Sequence, residues 1–192
     1  MKTNILVLDN YDSFTYNLVH YIKEISHANV DVFRNDKIDL ESVNHYDYII
    51  LSPGPGLPKD AGLLKQIIKT YGSTKKILGV CLGMQAIAEV YGNTLKNLEN
   101  VYHGVSTEIK IEDFKDPIFQ NIPSKINVGR YHSWVVDNQQ DLQNLKITSR
   151  DHNHQIMSVR HKHHQVYGVQ FHPESILTEY GKTMIKNFIT MP

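Results

Sequence analysis

The chain has 192 residues, and its 20 basic and 20 acidic side chains give a formal net charge of zero with histidine neutral. At roughly 100–200 residues per domain, this length predicts a single domain. A neutral chain lacks the basic surface that nucleic-acid binding needs, and no run of 18 apolar residues predicts a membrane span. We therefore expect neither a nucleic acid nor a membrane as a partner.

The first half of the chain alternates apolar runs with stretches of helical periodicity. Strands are predicted at 5–8, 30–33, 48–51 and 77–80. Helices are predicted from Phe14 to Ile25 with an N-cap at Asp12 or Ser13, from a cap at Asp60 through Ile68, and from Met84 to Val90. Such alternation predicts a parallel sheet covered by helices on both faces.

The second half has short segments rich in Val, Ile and Tyr, separated by turn residues. We expect mostly antiparallel strands here, added to the first sheet or forming a small second one. These strands are predicted at 106–111, 126–131, 146–149, 156–160 and 166–171, and a last helix carries Tyr180, Met184, Ile185, Phe188 and Ile189. The predicted fold class is α/β: one domain with a central, mostly parallel sheet, helices on both faces and an antiparallel β-rich extension.

The clearest local motif is Gly79-Val80-Cys81-Leu82-Gly83, where a buried strand meets a helix. G-x-C-x-G is the cysteine form of the nucleophile elbow, a tight turn that lifts its central residue above the sheet edge. A helix N-terminus stabilises a thiolate at Cys81, and the amide of Leu82 is free to donate to an oxyanion. The alternative, a small buried side chain, is disfavoured by the flanking glycines. A single cysteine also excludes an intrachain disulfide and, with no secretory segment after Met1, predicts a cytoplasmic protein.

A thiol nucleophile needs a base, and His172 is the best candidate among the eleven histidines. It lies in Phe171-His172-Pro173-Glu174, just after the last apolar strand, and would share the carboxyl edge of the sheet with Cys81. Glu174 would hold the second ring nitrogen and thereby set the tautomer and orientation of the ring. A lone histidine is usually structural, but the cysteine elbow in the same chain favours a catalytic role.

Two loops are candidates for the rest of such a site. The segment Ser52-Pro53-Gly54-Pro55-Gly56 follows a predicted strand, and its glycines allow a backbone to approach a small substrate closely. It is not a phosphate-binding Walker loop, because no Gly-Lys-Ser/Thr follows it. The segment Arg130-Tyr131-His132-Ser133-Trp134 brings polar and aromatic groups into the β-rich half. Taken alone, the first segment is also consistent with a plain turn. For the second segment, composition is equally consistent with a functional role and with a solvated strand end.

Taken together, these motifs resemble the class I (triad) glutamine amidotransferases over essentially the whole chain. The cysteine elbow and the segment 171–175 are specific for that superfamily. The opening segment Asp9-Asn10-Tyr11-Asp12-Ser13-Phe14 is similar to members that serve chorismate-using synthases. The resemblance implies a glutamine amidotransferase type-1 domain over residues 1–192, with flavodoxin-like layering and without a cofactor or a metal.

The resemblance also implies a role for each motif. Cys81 would attack the carboxamide of glutamine, His172 would transfer the proton, and Glu174 would orient His172. The amides of Gly56 and Leu82 would form the oxyanion hole. The implied glutamine-binding residues are Gly54, Pro55, Gly56, Gln85, Ser133 and Trp134. The departures from the family's usual pattern are Val105 in place of Lys, Trp134 in place of Leu, and Met84 in place of His.

A partner is implied as well. Similarity is greatest to the glutaminase subunit of anthranilate synthase, which would deliver ammonia to a large chorismate-binding synthase subunit, in a heterodimer or heterotetramer, for tryptophan synthesis. The corresponding subunit of aminodeoxychorismate synthase, in the folate pathway, shares every residue named here, so both alternatives stay open. We expect Asn10, Tyr11 and Asp12 to form the partner interface, because they follow the first strand at the same sheet edge as Cys81.

Two other classes of protein remain as alternatives, a signalling module and a metal-binding protein. Asp9 and Asp12 are an acidic pair after the first strand, consistent with a flavodoxin-like signalling module, but this leaves the cysteine elbow unexplained. A set of five histidines is consistent with metal binding, although a solvated hairpin is the simpler interpretation. These residues are His152, His154, His161, His163 and His164.

Overall fold

The computed structural model describes residues 2–139 and 142–192. Its strands are β1 (Asn4–Asp9), β2 (Asn29–Arg34), β3 (Tyr48–Leu51), β4 (Lys76–Val80), β5 (Leu95–Asn97), β6 (Val105–Ile111), β7 (Lys125–Arg130), β8 (Trp134–Val136), β9 (Leu145–Asp151), β10 (Ile156–His161) and β11 (Val166–Val169). Its α-helices are α1 (Thr15–Ile25), α2 (Leu64–Tyr71), α3 (Leu82–Val90) and α4 (Gly181–Ile189).

Within the described residues, nine strands form one sheet in the order β2-β1-β3-β4-β11-β10-β9-β6-β7. In this spatial order, the neighbouring strands β2, β1, β3, β4 and β11 pair parallel. The strands that follow, β10, β9, β6 and β7, pair antiparallel with their neighbours, beginning with β10 on β11. β5 and β8 form a separate antiparallel pair. The predicted α/β class and its antiparallel extension are confirmed. β11 joins the two halves, because it is parallel to β4 on one side and antiparallel to β10 on the other.

Helices cover both faces of the parallel half of the sheet. Ile5 and Val7 of β1 belong to a core that includes residues of α1 and α4. Leu6 and Leu8 belong to a second core, which includes residues of α2 and α3. Since successive strand residues point to opposite faces, a strand buried on both sides has to be apolar at every position. This is why β1 appears in the sequence as an unbroken apolar run.

The predicted helix caps differ from those in the structure. Asp60 lies in a short 3-10 turn, Pro58–Asp60, and α2 begins only at Leu64, so the predicted cap is wrong. Gly62 separates the two segments with a left-handed φ of +51°. At α1 the N-cap is Phe14, whose amide donates to the side chain of Asp12, so neither Asp12 nor Ser13 is the N-cap.

Four parallel strands end at the same edge of the sheet. The segments that leave β1, β3, β4 and β11 there contain the opening acidic loop, the Pro-Gly loop, Cys81 and His172. Such an edge is where ligands bind in open α/β sheets. Among the described helices, none has the length and apolar character needed to cross a membrane.

Candidate active site

Cys81 lies in a strained turn between β4 and α3. Its φ of 52° and ψ of −102° are rare for a residue with a side chain. A Cβ on Gly79 would lie 2.4 Å from the carbonyl carbon of Gly83, and a Cβ on Gly83 would lie 2.5 Å from the carbonyl oxygen of Leu51. Both flanking positions therefore require glycine, which is the physical reason for the G-x-C-x-G pattern. Leu82 begins α3, so its amide has no partner within the helix.

His172 and Glu174 form a buried pair after β11. Nδ1 of His172 lies 2.8 Å from Oε1 of Glu174, and their side chains are 2% and 0% exposed. The backbone of His172 is held on both sides, since its amide donates to the carbonyl of Gly129 and its carbonyl accepts from the hydroxyl of Thr178. Nε2 of His172 is buried and has no hydrogen-bond partner among the described residues, so it is available to the thiol.

The charge on His172 depends on this pairing. Burial lowers the pKa of His172, but the neighbouring Cys81 and Glu174 side chains outweigh it and raise the pKa to about 10. Burial raises the pKa of Glu174, and the hydrogen bond from His172 opposes that effect. The ring is therefore protonated at neutral pH, and a positive ring beside the sulfur stabilises negative charge there.

Aromatic side chains surround the ring of His172. Phe14 and Tyr131 contact it edge-on, with ring centroids 5.3 and 4.8 Å away. The hydroxyl of Tyr131 is 3.1 Å from that of Ser175, in the turn after Glu174. Phe14 precedes α1 directly, so the opening loop of the chain contacts the histidine, a contact that the motif analysis did not predict.

A cavity of about 210 Å³ opens beside Cys81. This volume is below the roughly 300–1,000 Å³ typical of drug-sized ligands and suits a smaller molecule. Its walls include every residue predicted to bind glutamine. The lining residues are Gly54, Pro55, Gly56, Cys81, Gln85, Val101, Tyr102, His103, Tyr131, His132, Ser133 and Trp134. The segment 101–103 also lines the cavity, and it has no distinctive sequence pattern that would predict this position.

Gln85 connects the cavity to the interior. Its Nε2 donates to the carbonyl of Trp134 at 2.9 Å and to Oε1 of Gln170 at 3.2 Å. Because an amide nitrogen carries two protons, Oε1 of Gln85 is the atom left to accept from a ligand. The contact with Trp134 uses the backbone, so it is compatible with the departure from leucine at this position.

A buried arginine supports the wall formed by residues 131–134. Arg130 is fully buried, and it pairs with Asp151 at 2.7 Å and donates to Nε2 of His132 at 3.1 Å. Nδ1 of His132 in turn donates to the carbonyl of Trp134 at 3.0 Å. Burial and the Arg130 charge lower the pKa of His132 to about 3, so this ring stays neutral. Asp151, at the end of β9, has no sequence signal that would have predicted this role.

The residues predicted to form a partner interface differ in exposure. Asn10 is buried: it donates to the carbonyl of Ser52 and accepts from Asn35. Its side chain therefore holds the loop together and is not available to a partner, which corrects the expectation for this residue. Tyr11 is 48% exposed and donates to Asp36, and Asp12 is partly exposed.

The acidic residue Asp9 and the histidine set, which were considered for a signalling module and for a metal site, have structural roles. Oδ1 of Asp9 accepts hydrogen bonds from the amide of Tyr11 and the hydroxyl of Thr15, so it shapes the opening loop. His161 stacks on His164 at 4.2 Å and accepts from its amide. Within residues 2–139 and 142–192, no group of three His, Cys, Asp or Glu side chains is arranged to hold a metal ion.

Comparison with known proteins agrees with this geometry. The model of the glutamine amidotransferase class-I family matches residues 6–191. The chain therefore belongs to the class-I glutamine amidotransferases.

The chain is similar to individual curated proteins and to solved structures. Anthranilate synthase component 2 of Lactococcus lactis is 44% identical over 96% of this chain and 93% of its own length. The aminodeoxychorismate/anthranilate synthase component 2 of Bacillus subtilis is 41% identical over 96% and 95%. The bifunctional protein TrpGD of Thermotoga maritima is 40% identical, but the chain spans only 32% of its length. The crystal structure of a candidate GMP synthase subunit from Thermoplasma acidophilum has a TM-score of 0.87 and 26% identity, covering 98% of this chain and 93% of the other.

Proposed function

We propose that this protein is the glutaminase subunit of an anthranilate synthase. The observation that carries the proposal is the placement of Cys81, in a strained elbow, beside both the buried His172–Glu174 pair and a small cavity. A thiol, a base and an orienting carboxylate are the groups that hydrolysis of an amide through a covalent intermediate requires.

The first half-reaction forms a thioester. The sulfur of Cys81 attacks the carboxamide carbon of glutamine, and the amides of Leu82 and Gly56 stabilise the resulting oxyanion. His172 gives its proton to the departing nitrogen, the carbon–nitrogen bond breaks, and ammonia leaves. Glu174 holds the ring in place through its 2.8 Å hydrogen bond. The second half-reaction is hydrolysis: water attacks the thioester carbon, His172 takes a proton from the water, and glutamate and the thiolate are released.

Glutamine binds, in this proposal, in the cavity lined by Gly54, Pro55, Gly56, Gln85, Ser133 and Trp134. Oε1 of Gln85 accepts a hydrogen bond from the substrate, and backbone groups of Ser133 and Trp134 supply further contacts. The reaction needs neither a cofactor nor a metal, because thiol and imidazole supply both covalent and acid–base chemistry.

The ammonia is used by a large chorismate-binding synthase subunit, in a cytoplasmic heterodimer or heterotetramer. The name of the Lactococcus lactis relative supports anthranilate as the product. The name of the Bacillus subtilis relative supports a second candidate, aminodeoxychorismate synthesis, alone or in addition. Titration of the chain with each type of large subunit, with chorismate and glutamine, distinguishes the two by the amino product that forms, anthranilate or aminodeoxychorismate.

The test of the nucleophile is Cys81→Ser. A serine hydroxyl is far less acidic than a thiol, so glutamine hydrolysis should fall by more than about 10³-fold. Amination with added ammonia should continue in the complex, because the large subunit then receives its nitrogen without the thiol. Glutaminase turnover near that of the unmodified chain would refute the assignment of Cys81.

A further inference from the structure

Gln170 contacts the sulfur of Cys81 from a position that has no role in the mechanism above. It directly follows β11, its side chain is fully buried, and its Nε2 lies 3.6 Å from Sγ. This is hydrogen-bond distance for a sulfur acceptor. A buried amide beside a reactive sulfur is a donor to whatever charge forms there.

The orientation of the Gln170 amide is determined by its other neighbour. Its Oε1 accepts from Nε2 of Gln85 at 3.2 Å, and only an oxygen can accept from that donor. The opposite end of the amide, which faces Cys81, is therefore the NH₂ group. Gln85 is itself held by the carbonyl of Trp134, which also accepts from His132.

We propose that Gln170 is a second hydrogen-bond donor to the Cys81 thiolate, held in the donating orientation by Gln85. The proposal rests on the proposed role of Cys81 as nucleophile. A donor to a charged acceptor forms a stronger hydrogen bond than a donor to a neutral one, so the amide favours the thiolate over the thiol.

Gln170 has a particular use in the hydrolysis of the thioester. At that stage His172 acts as a base towards water, and the sulfur must leave with its electron pair. The amide donor of Gln170 does not change its protonation during the reaction, so it can stabilise the departing sulfur throughout. Gln85 lies between Gln170 and the cavity, so the ligand that contacts Gln85 also affects the orientation of this donor.

The experiment compares Gln170→Met with Gln170→Glu. Methionine has similar length but no donor, whereas glutamate keeps the oxygen that accepts from Gln85 and replaces the donor with a carboxylate. The rate at which iodoacetamide alkylates Cys81 is measured against pH by mass spectrometry, together with kcat and KM for glutamine in the complex with the large subunit. The ionisable groups around the sulfur, His172 with Glu174 behind it and His132, are unchanged in Gln170→Met, whereas Gln170→Glu adds one carboxylate to them.

In Gln170→Met the midpoint of the alkylation profile should move upward by about one pH unit, which corresponds to tenfold less thiolate below the midpoint. It should move further in Gln170→Glu, and kcat should fall by about tenfold or more in both. Because glutamate still holds Gln85, KM should change less than kcat in that variant. Ser149→Ala is the control: it removes a buried hydroxyl on β9 that bonds to Ser158, and the profile should stay unchanged.

Midpoints that stay unchanged in both Gln170 variants, with native circular dichroism, would overturn this proposal. If Gln170→Met does not fold, Gln170→Asn, which withdraws the donor by one methylene, should give the upward shift. Failure of the proposed function has a different signature, namely that Cys81→Ser retains glutaminase turnover. Inactive Cys81→Ser together with unchanged Gln170 profiles refutes only the role of Gln170.

Discussion

At the scale of single residues, the activity should depend strongly on the contacts of His172 and Glu174, because both side chains are buried. Their side chains are almost fully buried, so water cannot replace a hydrogen bond that a mutation removes. In the proposed mechanism His172 transfers protons, whereas Glu174 orients the ring and stabilises its charge. The two residues should therefore differ in how much activity their loss removes.

His172→Asn should lower glutamine hydrolysis by more than about 10³-fold, because no other group takes its place as acid and base. Glu174→Gln should retain more activity than His172→Asn, because loss of the orienting carboxylate of a triad costs less than loss of the base. The measurement is steady-state glutaminase turnover of each variant in the complex. Equal and negligible effects of both substitutions would refute the triad.

The pKa of His172 should depend on the sulfur beside it. In Cys81→Ala the sulfur that helps to raise this pKa is gone, so the pKa should fall below its value of about 10. A raised histidine pKa stabilises the fold below pH 6.5, and this contribution is lost as the pH rises from 6.5 through about 10. Histidine signals in an NMR pH titration report the change, with Ser149→Ala as control. An unchanged titration would show that the sulfur does not contact the ring.

At the scale of elements, the joint between β4 and α3 holds Cys81, the proposed nucleophile, above the sheet. Gly79 and Gly83 let the first turn of the helix pack directly on the strand and on β3. Even one added methyl group at Gly79 or Gly83 would clash with the backbone. Such a substitution should therefore both destabilise the fold and displace Cys81.

Gly79→Ala should destabilise the protein by about 1–3 kcal/mol or more, because the new Cβ would lie 2.4 Å from a backbone carbon. The matched control is Gly92→Ala, where φ is +91° and no atom lies within 4 Å of the new Cβ. That control should show backbone strain alone, about 1 kcal/mol. Urea unfolding of both variants gives the comparison, and equal costs would mean that the joint relaxes.

At the scale of the whole molecule, the opening loop connects the surface to the site. Tyr11 is exposed, while Phe14, three positions later, contacts the ring of His172. A partner that binds this loop can therefore favour the catalytic arrangement of His172. A tenfold activation requires only about 1.4 kcal/mol of preference for that arrangement.

Tyr11→Ala should weaken binding of the large subunit and lower coupled glutaminase turnover, because a flat aromatic contact is lost. Phe114→Ala is the control: it is also an exposed aromatic residue, but it follows β6 in the antiparallel half of the sheet. Affinity is measured by titration with the large subunit, with and without chorismate. An unchanged affinity for Tyr11→Ala would exclude this loop as the docking surface.

The amino-acid sequence by itself determined the local features of this protein. Apolar runs predicted β1, β3, β4 and β11, because a strand buried on both faces largely excludes polar residues. The glycines around Cys81 predicted the elbow, because only glycine fits there. These signals are local: each depends on residues within a few positions of one another.

The tertiary structure alone decided which distant residues meet. Gln170 bonds to a sulfur 89 positions away, and Arg130 pairs with Asp151 across 21 positions. Asn10 is buried because Asn35 and Ser52 close over it, although its loop looked exposed. Asp60 does not cap a helix because the chain turns once more before α2. Such contacts depend on the order of strands in the sheet, which local propensity does not specify, since pairing between strands is a long-range interaction.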